Sequence, residues 1–271
     1  MNITADTRVI LRMHTEANER GIAMYNEYFD TARLNAVYVL VQNPSAVPLI
    51  AGLRGLNFAG AITAGFEHDP SLLTLVDECT DEARIAGSAG IIANHNGRLV
   101  AHYQGGEALM SAINEQRDVA GLNVALIGAG TMARTFLSQL AARDTKPNVT
   151  VYNRTLEHAE ALRAQYPFVT GVGSLQDVAS SIADAVINTT SLGDEITQLI
   201  DVASLQTFQV VADVTLGTEQ GGLVASARQA GVPHIVTGQD VFTHQAVVVL
   251  RRLLGHEADL AALRTCVQKN V

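Results

Sequence analysis

An apolar run, Asn123–Ile127, leads directly into Gly128-Ala129-Gly130-Thr131-Met132-Ala133, and a helical pattern opens from there. No other stretch constrains the chain as strongly. A buried strand that turns tightly into a helix needs a residue that permits the tight turn, which Gly128 supplies. Gly130 lacks a Cβ, so a ligand can approach the backbone, and Ala133 is small enough for the helix to pack close to the strand. The free N–H groups and partial positive charge of the helix N-terminus suit a pyrophosphate. A purely structural glycine turn is the competing reading. The surroundings favour a ligand: a second strand, Val149–Tyr152, ends about 20–25 residues on, where a dinucleotide fingerprint places it.

That second strand runs into Asn153-Arg154-Thr155. An acid here would accept bonds from the ribose 2′-hydroxyl of NAD, but none occurs before Glu157. A guanidinium flanked by two neutral hydrogen-bonding groups suits a 2′-phosphate instead, so the expected cofactor is NADP. Thr155 would also cap the helix that begins at Leu156, and Arg154 would then be merely solvated. Both readings can hold together.

Short β-rich apolar runs alternate with helical patterns almost throughout, which predicts an α/β fold with parallel sheets and right-handed crossovers. Strands are expected at Thr7–Met13, Ala36–Val41 and Phe58–Ala64, and helices at Glu19–Arg33, Ser45–Leu56 (broken by Pro48) and Pro70–Ile85. The first helix should present Ile22, Tyr25, Phe29 and Ala32 on one face, with Tyr25, Tyr28 and Phe29 as core rather than a stacking platform. Asn94-His95-Asn96-Gly97 predicts a hairpin within Ile91–Tyr103. A helix follows over Gly106–Arg117. The second half adds helices at 131–143, 156–165 and 222–230, and strands at 149–153, 185–188, 210–214 and 234–237. Helices Asp240–Leu254 and Ala258–Gln268 close the chain.

The 271 residues fit about two domains of ordinary size. Hydrophobic residues at 48% and charged ones at 17% exclude disorder and coiled coil. With a net charge of −9 and no dense basic run, no nucleic-acid surface is expected. No apolar stretch is long enough to span a bilayer, and the first twenty residues lack a signal peptide's apolar core. Cys79 and Cys266 stand far apart in sequence, which rules out a disulfide framework or zinc cluster, and no histidines and acids have metal-ligand spacing. The expectation is a soluble cytoplasmic enzyme without membrane or nucleic-acid partners. The oligomeric state, homodimer included, is left open.

Asn153-Arg154-Thr155, then Ile187-Asn188-Thr189-Thr190-Ser191-Leu192-Gly193, then Gly238 with Gln245 seven residues on, form an order that resembles the shikimate dehydrogenase family, in particular its divergent shikimate/quinate dehydrogenase-like branches. The similarity runs from about Tyr25 to Gly255 and is stronger over the cofactor half. It implies an N-terminal α/β substrate domain, residues 1–118, completed by C-terminal helices 240–271, and a Rossmann domain, residues 119–239. It implies that Gly128, Gly130 and Thr131 hold the pyrophosphate, and that Asn153, Arg154 and Thr155 hold the adenosine phosphate. Thr189 and Thr190 would line the cofactor groove, with Val214 and Gly238 by the nicotinamide. Gln245 matches a glutamine that reaches the substrate. Asn26 matches the second residue of a His-Asn pair, with Tyr25 in place of the histidine.

The departures concern the substrate half. Phe66-Glu67-His68 replaces the stretch that ends in the family's catalytic lysine, so His68 stands where lysine would act, with Glu67 and Asp69 as rivals in register. Tyr103-Gln104-Gly105 replaces the stretch that carries the catalytic aspartate, and the carboxylate is absent. A substrate-binding asparagine falls at Gly90. The paired serines that bind a carboxylate fall near Arg12 and His14, where an arginine could grip a carboxylate itself. The expected function is NADP-dependent hydride transfer between a nicotinamide and a secondary alcohol or ketone of a small polar acid other than shikimate. The alternative is a non-catalytic NADP-binding protein with a rebuilt substrate pocket.

Overall fold

A computed structural model describes residues 3–66, 69–217 and 221–271. Contacts divide the chain into two units, 1–104 with 245–271, and 105–244.

In the first unit the elements run β1 (Arg8–His14), α1 (Ile22–Thr31), β2 (Ala36–Gln42), α2 (Ala46–Gly55), β3 (Gly60–Ile62), a 3-10 turn (Pro70–Thr74), β4 (Glu78–Cys79), α3 (Asp81–Ala86), β5 (Ile91–His95) and β6 (Arg98–His102). The sheet order is β2-β1-β3-β5-β6-β4. Only β5 runs antiparallel to its neighbours, as the second half of the pairing with β3 and the first arm of the hairpin with β6. Leu11, Met13, Ala61, Ile92, Leu99 and Ala101 meet Leu49, Ile50 and Leu53 of α2 on one face. On α1 the buried residues are Met24, Tyr25, Tyr28 and Phe29. The aromatic trio is therefore core, whereas Ile22 and Ala32, expected on the same face, are only half-buried.

Two expected helices differ. Pro48 does not break α2, because it falls in the first turn behind the Ser45 N-cap, where its missing N–H is not needed. Pro70–Ile85 is not one helix. Asp69 caps the 3-10 turn, β4 adds an edge strand to β6, and Thr80 caps a new helix by accepting from the Ala83 N–H. Capping side chains won over the apolar periodicity there.

The second unit contains α4 (Gly105–Gln116), β7 (Asn123–Ile127), α5 (Thr131–Ala141), β8 (Asn148–Tyr152), α6 (Leu156–Gln165), β9 (Val169–Gly173), β10 (Ala185–Asn188), α7 (Val202–Leu205), β11 (Val210–Asp213), α8 (Gly222–Ala230) and β12 (His234–Val236), followed by the start of α9 (Gly238–Leu254). All its strands are parallel, in the order β12-β11-β10-β7-β8-β9. Val124 and Leu126 face one core and Ala125 and Ile127 the other. Burial on both faces explains why β7 reads as one unbroken apolar run. Strand β9 escapes sequence reading because Gly171 and Gly173 interrupt it. Both glycines lie against β8 side chains, at 2.9 Å from Thr150 Oγ1 and 2.8 Å from Tyr152 Cε1 as measured from the place of a Cβ.

The segment 105–118, expected in the first domain, belongs to the second unit. Its helix α4 packs on α5 through Gly106, where a Cβ would stand 2.5 Å from the Thr135 carbonyl oxygen and 2.8 Å from the Phe136 N. At the other border the division falls inside α9, after His244 rather than before Asp240. The final helix, α10 (Leu260–Asn270), returns to α1. The Tyr28 hydroxyl accepts from the Asp259 N–H at 2.9 Å and meets His256 Nε2 at 3.1 Å. Lys269 and Asn270 bind Glu27 at 2.8 and 2.9 Å. No described helix is long and apolar enough to cross a membrane.

Candidate functional site

The turn after β7 is built as its sequence implies. Gly128 has φ 105°, and a Cβ there would lie 2.7 Å from Thr189 Oγ1 and 2.8 Å from Thr190 Cγ2. The two threonines are fixed in turn. Thr189 donates to the Ile127 carbonyl at 2.7 Å and Thr190 to Asn188 Oδ1 at 2.7 Å. A Cβ on Gly130 would meet nothing within 4 Å. The gap above Gly130 and the first N–H groups of α5 form the kind of cradle an anionic group can enter. It lies where β7 and β10 pair, between the two halves of the sheet, which is where open α/β sheets bind ligands.

A cavity of about 550 Å³ continues from Gly130 along the start of α6. Its lining includes Asn153, Arg154 and Thr155, as expected, together with Arg134 and His158. Those two were not singled out from the sequence, although Arg134 falls one helical turn after Thr131 and His158 one turn after Thr155, spacing that brings both toward helix N-termini. Arg134 donates to Thr131 Oγ1 at 3.3 Å. Asn153 Nδ2 donates to the Thr155 carbonyl at 2.7 Å. Thr155 is the N-cap residue of α6, but its side chain makes no capping bond, so the capping role foreseen for it is positional only. Arg154 is exposed and forms no hydrogen bond or ion pair with another described residue. The ionisable lining of the cavity is basic throughout, Arg134, Arg154 and His158, with no carboxylate among the described residues.

Further along, the Val214 N–H donates to the Asn188 carbonyl at 3.2 Å. Gly238 is pressed against the Thr215 carbonyl, so no side chain fits at that position. Asn188 and Asp213, both fully buried, are joined at 3.0 Å, and Asp213 also accepts from the Thr215 N–H at 2.9 Å. This pair shapes the ends of β10 and β11 and was not anticipated, since an acid at the end of an apolar run reads as a solvated strand end. The 3.0 Å contact between His244 on α9, which is buried, and Glu115 on α4, which is exposed, was missed as well, because its members are 129 residues apart.

In the first unit Arg12 is 8% exposed at the end of β1. Its Nε and Nη2 donate to the Asn18 carbonyl and Oδ1 at 3.0 and 3.2 Å, which ties down the loop after β1. The same guanidinium lies beside two buried phenols. Burial pushes Tyr25 well above its ordinary pKa and Tyr38 up to about 12, with Arg12 partly opposing both. Tyr25, standing where the family has histidine, thus keeps its proton at neutral pH. His14 accepts from the Glu16 N–H at 3.0 Å through Nδ1. Asn26 donates to the Ile22 and Tyr38 carbonyls at 3.0 and 2.9 Å and accepts from the Tyr38 N–H at 2.9 Å. Those bonds lock α1 to β2 and give Asn26 an architectural place. Gln245 is half-buried on α9. His68 and its rival Glu67 lie outside the described residues. The Gln104 carboxamide packs on Gly90, in the space an asparagine side chain at 90 would need, and its Oε1 is buried.

Burial, reinforced by the positive charge of Arg252, pulls His102 down to about 4, against the opposing pull of Glu82 and Glu78. Unfolded, an imidazole titrates near 6.5. Between about pH 6.5 and pH 4 the unfolded chain therefore binds the extra proton, so stability is full above that window and is lost as pH falls through it. A His102→Gln variant should lose less of its melting temperature than the parent between pH 7 and pH 4. Parallel pH profiles for the two proteins would refute this assignment.

Two open α/β units, one of them a six-stranded parallel sheet with a glycine turn at its switch point, define a two-domain protein of the Rossmann class. The Shikimate / quinate 5-dehydrogenase family matches residues 110–215. A curated shikimate dehydrogenase (NADP(+)) from Geobacillus sp. (strain WCH70) is 27% identical over 258 residues, 90% of this chain and 91% of its own. Another, from Pyrobaculum islandicum, is 26% identical over 261 residues, covering 95% and 96%. A solved shikimate dehydrogenase in complex with NADP+ superposes with TM-score 0.86 at 24% identity, covering 100% of this chain and 98% of that one. A ligand-free 5-ketofructose reductase of Gluconobacter sp. superposes with TM-score 0.83 at 21% identity, covering 98% and 99%. The chain is thus similar to shikimate dehydrogenases over most of its length.

Proposed function

We propose that this chain is an NADP-dependent oxidoreductase acting on a secondary alcohol or ketone of a small polar molecule other than shikimate. The observation that carries the cofactor half is the cavity beside α6, whose ionisable groups are all basic and whose Arg154 is not spent on any described residue. A carboxylate would stand there to hold a ribose hydroxyl; two guanidiniums suit the 2′-phosphate. Gly128, Gly130 and Thr131 would hold the pyrophosphate, and Thr189, Thr190, Val214 and Gly238 would bound the groove beyond it. When bound, NADPH supplies the hydride.

On the substrate side the chain's own groups would bind, orient and protonate. Arg12 and His14, at the end of β1, and Gln245, on α9, are the proposed substrate contacts. Reduction of a ketone needs a proton delivered to the developing alkoxide. His68 is the proposed donor, because an imidazole titrates in the range where such work is done. The absence of a carboxylate at Gly105, together with the amide that fills the space over Gly90, argues against shikimate and supports a second reading, an NADP-binding protein without turnover.

One experiment separates the readings. Binding of NADP+ and NADPH is titrated by fluorescence, and NADPH oxidation is followed with a panel of cyclic keto acids, open-chain keto acids and ketoses such as 5-ketofructose. Turnover with any of them establishes the enzyme. Binding without turnover favours the second reading, and absence of binding overturns both. A His68→Ala variant that kept full turnover would remove His68 from the mechanism.

A further inference from the structure

We infer that Asp213 is a positioning residue for the coenzyme: through Asn188 it holds the loop Thr190–Leu192, one wall of the cofactor cavity, against the Gly128 turn. This role rests on the cofactor reading above and extends it to two buried residues that lie outside the cavity lining.

Asn188 and Asp213 end β10 and β11 and face each other in the parallel register. Asp213 Oδ1 accepts from the Thr215 N–H at 2.9 Å and from Asn188 Nδ2 at 3.0 Å. An oxygen that receives a backbone N–H is an acceptor, so the Asn188 carboxamide must turn its nitrogen toward it. The amide oxygen is thereby aimed the other way. Asn188 Oδ1 accepts from the Thr190 N–H at 3.0 Å and from the Thr190 hydroxyl at 2.7 Å. That hydroxyl in turn accepts from the Leu192 N–H at 3.3 Å, and the Thr215 hydroxyl donates to the Thr190 carbonyl at 3.3 Å. Thr190, Ser191 and Leu192 line the same cavity as Arg154. The Thr190 methyl stands 2.8 Å from the place of a Cβ on Gly128.

A buried polar pair that served only to join two strands would be redundant, because the ladder already pairs Ala185–Asn188 with Val210–Asp213. The side-chain bonds of the pair leave the ladder and end on the loop after each strand, at Thr190 and Thr215. An apolar pair of similar shape would pack β10 on β11 as well, but it could not fix the direction of either loop. Without Asp213 the Asn188 amide loses the group that orients it, and Thr190 loses a fixed acceptor. The wall then shifts beside the Gly128 turn, where NADP and NAD carry the same atoms, so both should suffer alike. Arg154, by contrast, addresses the phosphate that NAD lacks.

The test is fluorescence titration of the full chain with NADP+ and with NAD+, at a temperature well below the melting point of every variant. Asp213→Leu should raise both dissociation constants about ten-fold. Asp213→Asn keeps an oxygen for Asn188 and Thr215 and should bind both coenzymes within about three-fold of the parent. Leu205→Ala, in the core on which β10 and β11 pack, should lower the melting temperature and leave both constants unchanged. Asn188→Leu should lose at least as much affinity as Asp213→Leu. The double variant should lose no more than Asn188→Leu alone, because the two residues act in series. The double variant also leaves neither partner orphaned, which keeps the test open if a single variant fails to fold. Parent-like binding by Asp213→Leu or by the double variant would overturn the role of Asp213, as would losses that multiply in the double variant or losses confined to NADP+. If the parent bound neither coenzyme, the cofactor reading itself would fail, and this role with it.

Discussion

Replacing Arg154 by alanine is expected to weaken NADP+ binding about 10–100-fold while NAD+ affinity changes less than about two-fold. A hydrogen bond to a charged group contributes about 1.5–3 kcal/mol, and 1.4 kcal/mol is a factor of ten in affinity. A guanidinium can address a phosphate with two parallel N–H groups, which places Arg154 toward the upper part of that range. Exposure works the other way. Arg154 stands at the open rim of its cavity, so screening trims the effect, and the loss should be larger at 20 mM than at about 200 mM salt. Arg154→Lys should recover only part of the loss, since an ammonium keeps the charge without the fork. Because Arg154 forms no bond or ion pair with another described residue, the melting temperature without cofactor should not move. Equal losses for NADP+ and NAD+ would place Arg154 on the shared pyrophosphate, and an unchanged NADP+ affinity would remove it from the site.

What could be read from the sequence followed from local physics. The glycine turn is legible because a tight strand-to-helix passage admits few residues, and Asn153-Arg154-Thr155 stands out as the polar segment that directly follows a strand and lines a cavity. Strands β7, β10 and β11 stand out because burial on both faces leaves each of them a run of at least three consecutive apolar residues. What stayed hidden depends on neighbours distant in sequence. Strand β9 carries two glycines for the sake of Thr150 and Tyr152 on the next strand. The bonds by which Asn26 ties α1 to β2 through Tyr38 have no local signal in the sequence. His158 has no motif of its own, and only the fold brings it to the cavity that Arg134, on another helix, also lines. Arg12 shows both sides: an arginine at a strand end signals an anion site, yet its bonds to Asn18 are visible only in the folded loop.

The largest effect on stability is expected from Gly106→Ala. Alanine normally stabilises a helix interior relative to glycine by up to about 1 kcal/mol, through the unfolded chain. At Gly106 that gain is overwhelmed, since the added methyl would stand 2.5 Å from the Thr135 carbonyl oxygen and 2.8 Å from the Phe136 N. Both are backbone atoms inside α5 and cannot swing aside as a flexible side chain would. Helix α4 would have to lift away from α5, opening the core shared by Leu109, Ile113, Phe136, Leu137 and Leu140, none of which is exposed to solvent. Overpacking of this kind costs about 1–3 kcal/mol, and more where backbone must move, so a net loss of about 3 kcal/mol is expected. That is a large share of the 5–15 kcal/mol typical of a native domain. Gly52→Ala provides the contrast. It sits inside α2 with nothing within 4 Å of its missing Cβ, so the identical substitution should stabilise the protein by about 0.5–1 kcal/mol. Urea midpoints should therefore move in opposite directions for the two variants. A Gly106→Ala protein as stable as the parent would mean that α4 and α5 do not approach backbone to backbone, and the placement of residues 105–118 in the second unit would fall with that contact.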